Sequence, residues 1–127
     1  MIGYKRQVNL TYEKAVAKVR EELAKEGFGV LTEVDIKANM KKRLNADYED
    51  YIILGACSPP LAYELFQVSK DVGLVIPCNV VVFVDKGNTF VEATTPTALI
   101  NLFQDNRLKP TAEKVEAKLK KVVDSVN

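Results

Sequence analysis

Histidine is absent from the 127 residues. Its absence removes Ser-His-Asp and Cys-His nucleophiles, histidine metal sites and histidine acid-base chemistry together. Tryptophan is missing too, and cysteine occurs only at Cys57 and Cys78, too few to staple a fold that lacks its own core. Net charge is almost nil, with 18 lysine and arginine against 17 aspartate and glutamate. No general field therefore draws nucleic acid or anionic lipid, and neither is expected as a partner. Long apolar runs are lacking: the most apolar stretch, Gly73 to Val84, is interrupted by Pro77-Cys78-Asn79. A bilayer takes about 20 apolar residues, so no membrane span is expected. Met1-Ile2-Gly3-Tyr4-Lys5-Arg6-Gln7 does not read as the apolar core of a signal peptide. These absences place the expected location in the cytoplasm, with both thiols reduced.

What is present suits one globular domain over residues 1–127. Hydrophobic residues make up 47% and charged residues 28% of the chain, enough to bury a core without cross-links. Tyr4, Arg6, Val8 and Leu10 alternate with Lys5, Gln7 and Asn9, the period of a strand. Thr11 caps a helix over Tyr12 to Glu26, with Ala15, Val16, Val19 and Leu23 on one face and Gly27 as its stop. Phe28 to Asp35 reads as a second strand, with Val30, Thr32 and Val34 on one face and Leu31, Glu33 and Asp35 on the other. Asp35 opens a short helix carrying Ile36, Met40 and Leu44.

Tyr51 to Cys57 is a third strand, followed by Pro59-Pro60 and a helix over Leu61 to Gln67, with Val68 to Gly73 as connection. Asn79 to Val84 and Thr89 to Ala93 form a hairpin around Asp85-Lys86-Gly87-Asn88. Pro77 cannot donate to a ladder and should mark a bulge or a strand start beside Cys78. Thr95-Pro96 opens a short helical segment through Phe103. After Pro110 the residues Ala112, Val115, Leu119, Val122 and Val126 stripe a long closing helix.

This order predicts an α+β fold: a two-layer α/β sandwich with a largely antiparallel five-strand sheet and extra short helices. Two long helices cover one sheet face. The fourth strand is apolar toward both sides, so the second face needs a cover, from the minor helices carrying Met40, Leu44, Leu61 and Leu65, from a ligand, or from a second subunit. A homodimer is expected, since a symmetric pair is the commonest remedy.

Three segments stand out together: Gly27-Phe28-Gly29-Val30-Leu31-Thr32-Glu33-Val34-Asp35, Ile53-Leu54-Gly55-Ala56-Cys57-Ser58-Pro59-Pro60-Leu61-Ala62 and Gly73-Leu74-Val75-Ile76-Pro77-Cys78-Asn79-Val80. In order and spacing the chain resembles the domain-of-unknown-function family 302 over most of its length. Ser58 departs from the asparagine expected in many members. The resemblance implies a TATA-binding-protein-like β-α-β-β-β-β-α arrangement. It implies no established activity and supplies no catalytic residue.

The residues that could carry chemistry are few. Cys57 closes the third strand and Cys78 opens the fourth, so the two thiols can approach each other. The helix after Pro59 could lower a thiol pKa, since helix amino ends favour the thiolate and have free N–H groups to satisfy. The simpler reading is a pair of inert core thiols. With Ser58 and Asn79 the cysteines mark a candidate pocket for a small-molecule ligand. Glu33 and Asp35 share a strand face roughly 6.6 Å apart along the strand and are a further candidate ligand-binding pair that could divide acid and base roles or hold a hard cation, although Asp35 as a helix cap and a solvated face is the simpler account. Lys37, Lys41, Lys42 and Arg43 form a basic patch that Asp47, Glu49 and Asp50 partly neutralise.

Two cysteines without histidine are poor zinc ligands, so no metal and no cofactor are expected. The leading expectation is a homodimeric binding or structural module rather than an enzyme. The alternative is a thiol-dependent redox or metal-binding protein that uses Cys57 and Cys78.

Overall fold

A computed structural model of the chain describes residues 3–127. Met1 and Ile2, read above within the amino end, lie outside the described residues. Five strands, β1 (Gly3–Val8), β2 (Gly29–Asp35), β3 (Tyr51–Cys57), β4 (Cys78–Asp85) and β5 (Asn88–Thr94), form one antiparallel sheet in the order β1-β5-β4-β3-β2. The helices are α1 (Tyr12–Lys25), α2 (Ile36–Leu44), α3 (Pro59–Val68), α4 (Pro96–Ile100) and α5 (Lys109–Ser125). Single 3-10 turns lie at Lys70–Leu74, Asn101–Phe103 and Asn106–Leu108, the first of them inside the stretch read as plain connection. The α+β two-layer sandwich stands as the sequence pattern implies.

Local signals hold the elements where the sequence places them. The Thr11 hydroxyl accepts from the Lys14 N–H at 3.2 Å and the Asp35 carboxylate from the Ala38 N–H at 2.9 Å, capping α1 and α2. Gly27 ends α1 with a φ of 83°. The β4–β5 hairpin closes through Lys86 and Gly87, both at positive φ, with Asp85 paired to Asn88, the geometry of a two-residue turn that matches strand twist. Pro77, in a cis bond after Ile76, precedes the first residue of β4 and so marks a strand start.

The core lies between the sheet and α1 plus α5. Val80 and Val82 of β4, Val91 and Ala93 of β5, and Leu54 and Ala56 of β3 pack with Val19 and Leu23 of α1 and Leu119 and Val122 of α5. The expected stripe on the closing helix is buried throughout, Val126 included. At roughly 25 cal/mol per Å² of apolar surface removed from water, this layer is the main source of stability. A second, smaller cluster joins Leu65, Val72, Ile100, Leu108 and Ala112, where α3 and α4 lean on α5.

Two expectations need correction. A bulge between Val30 and Thr32 gives β2 one extra residue. Val30 therefore stands opposite Ala56 on the helix side, while Thr32 and Val34 stand opposite Gly55 and Ile53 on the other face, so the three do not share a face. Of the minor helices named as one of three covers for the second face, α3 turns to the other side. Leu61 and Leu65 of α3 are buried on the α5 side, and Leu44 of α2 is 70% exposed.

Candidate functional site

The two cysteines lie at the end of the sheet beside α3 and line one cavity. Ala56 pairs with Cys78, and Cys57, one residue further along, pairs with Gly29. Both cysteines are unpaired and half-buried. With Ser58, Ala62, Leu65 and Ile76 they line a cavity of about 20 Å³, room for about one water. A second cavity of the same size shares Leu65, Ile76 and Cys78 with it and is walled also by Val75, Pro96, Leu99 and Ile100. Burial pushes the Cys57 thiol up. Burial and then the neighbouring Cys57 push Cys78 up to about 11. At neutral pH both are thiols, not thiolates.

The helix after them does little to reverse this. Ser58 occupies the cap position of α3 without making a side-chain cap bond, and Pro59 and Pro60 fill the first helical positions. Proline has no N–H, so two of the donors expected at this helix start do not exist. The first bond is made by the Ala62 N–H to the Ser58 carbonyl at 2.8 Å.

The remaining sequence candidates lie elsewhere. Asn79 is exposed and pairs with Gly55 on the sheet face turned away from α1 and α5. Glu33 is held by the Arg20 guanidinium of α1, and Asp35 caps α2, so each carboxylate has a structural partner. In the basic patch, Lys37 meets Asp50 at 3.4 Å and Lys41 meets Asp47 at 3.2 Å. Cys57, Ser58 and Cys78 are thus brought together; Asn79, Glu33 and Asp35 do not join them. Among the described residues, no three of Cys, Asp and Glu converge as metal ligands would.

A feature the sequence reading missed lies on the far sheet face. Tyr51 of β3, Phe83 of β4 and Phe90 of β5 are cross-strand neighbours. Their rings stack at 5.1 and 5.4 Å between centroids, with interplanar angles of 14° and 18°. Tyr48 extends the row at 6.4 Å, and the Lys5 ammonium lies 5.7 Å from the Phe90 ring centre. Each ring sits on a different element, so only the strand register reveals the row.

The family model of the domain of unknown function DUF302 matches residues 4–126. The chain belongs to this family. A crystal structure of an uncharacterised conserved DUF302 protein from Bacillus stearothermophilus is similar to it, with 27% identity, coverage of 100% of this chain and 99% of that one, and a TM-score of 0.94. No curated protein matches the sequence. For this DUF302 domain the family and its crystallographic relative carry no specific function, so any reading of function rests on the geometry of the chain itself.

Proposed function

We propose that this chain is a binding or structural module that works as a homodimer in the cytoplasm, on a TATA-binding-protein-like frame, and does not use its cysteines for catalysis. The observation that supports the module is the state of the thiol pair. Both thiols are pushed upward by burial, and the prolines of α3 remove two of the N–H groups that would favour a thiolate. A small-molecule ligand at this place would enter beside Cys57, Ser58 and Cys78 by widening the cavity of about 20 Å³. Support for the pairing lies in the sheet face that α1 and α5 leave uncovered. The cytoplasm suits two unpaired cysteines. No helix among the described residues is long and apolar enough to cross a membrane.

A second reading, thiol redox or metal chemistry at Cys57 and Cys78, draws on the two thiols lining one cavity. Alkylation of the native protein at neutral pH separates the readings. The module predicts slow modification at both cysteines. Rapid modification of either, at a rate typical of a free thiol or faster, would reject it in favour of the redox reading.

A further inference from the structure

We propose that the sheet face opposite α1 and α5 is a symmetric interface and that its partner is a second copy of this chain. This rests on the homodimer proposed above and locates it. Strand alternation puts Ile53, Val81, Phe83 and Phe90 on that face, with Tyr51 beside them. None of the five belongs to either buried core cluster. A cross-strand row of stacked rings is a rigid apolar surface, which costs little ordering entropy to bury and suits the centre of an interface.

The extent of the face fits a stable pair. Five strands about 4.8 Å apart and about seven residues long at roughly 3.3 Å per residue cover roughly 550 Å² in flat projection. Side chains standing up from the sheet add to that, against roughly 800 Å² per partner in an ordinary stable interface. The charge on the face also permits self-association. Lys5 of β1 and Glu92 of β5 are cross-strand partners and offset each other, and Asp85, exposed at the hairpin end of β4, adds its charge at the rim rather than at the centre of the face. The β2 edge offers less. β2 carries the bulge with Leu31 turned out, a device that hinders strand addition.

Sedimentation at micromolar concentration tests the proposal with three proteins: the native chain, Val81→Glu and Leu102→Glu. Val81→Glu puts a charge at the middle of the proposed interface, while Leu102, 77% exposed on the 3-10 turn after α4, serves as the control. The native chain should run at twice the 14.2 kDa chain mass, and Leu102→Glu with it. Val81→Glu should keep its circular dichroism and run as a monomer, its dissociation constant raised on the order of a hundredfold or more. A native monomer overturns both the homodimer and its location, and leaves the face to a ligand or another protein. A folded Val81→Glu that remains dimeric overturns the location alone. Should Val81→Glu not fold, radical footprinting of the native chain decides. Tyr51, Phe83 and Phe90 should label several-fold less at high protein concentration than at low, and equal labelling rejects the face.

Discussion

At Gly55 a methyl group built on the backbone would overlap the Thr32 hydroxyl and come within 2.9 Å of the Pro77 ring. The ring is fixed in place at the start of β4, so the neighbour that must give way is backbone-bound. Gly55→Ala should therefore lower stability by about 1–3 kcal/mol, the usual cost of overpacking, seen as an earlier urea midpoint; an unchanged midpoint would mean that Pro77 and Thr32 shift freely. Cys78 makes a pH-dependent prediction. Its thiol is near 9 when unfolded and about 11 when folded. Below pH 9 both states keep the proton and the full stability is present. Between pH 9 and 11 the unfolded chain has lost a proton that the folded chain retains, so stability falls as pH rises. Tyr12, raised to about 12 chiefly by burial, extends the fall. The slope of unfolding free energy over pH 9–11 should be shallower in Cys78→Ala than in the native chain. The two cysteines were legible as inert thiols because each flanks an apolar run; that Cys78 is pushed further than Cys57 was not, because its burial depends on residues of α3 and α5 that are remote in sequence.

Among the elements, α4 shows a cap supplied from outside. No side chain caps it locally, yet Glu116 on α5 accepts from the Thr97 N–H at 3.1 Å and the Thr97 hydroxyl at 2.6 Å, and pairs with Lys120 at 3.3 Å. Burial alone would push the Glu116 carboxyl up, but the bonds from Thr97 and Lys120 outweigh it and hold it below its usual range. Its folded pKa is depressed, so its stabilisation is present above the unfolded pKa and is lost as pH falls through the folded one. Glu116→Gln should cost about 1–2 kcal/mol and speed amide exchange in α4; exchange unchanged there would show that the second hydrophobic cluster alone holds the helix. Thr11 and Asp35 could be read as caps from neighbours three residues away, whereas nothing near Thr97 announces Glu116. The β2 bulge escaped for the same reason. Alternation along one strand is a local pattern, and an unpaired residue shows only against the partner strand.

For the whole molecule, a homodimer ties stability to concentration. A chain that folds as a pair should melt at a higher temperature as its concentration rises a hundredfold, whereas a monomer melts at one temperature throughout. Calorimetry across that range is the check. What the sequence by itself determined is the set of elements: five strands, their helices, the hairpin turn and the buried stripe of the last helix, because each rests on periodicity, caps and turn residues within a few positions; the family followed from the resemblance of three segments along the chain. What only the tertiary structure decided is which faces meet. Register moved Val30 away from Thr32 and Val34, sent Asn79 to the face opposite the core and lined up Tyr51, Phe83 and Phe90 from three strands. Pairing between strands is set by contacts across the fold, so the composition of a face cannot be read until the strands are laid side by side.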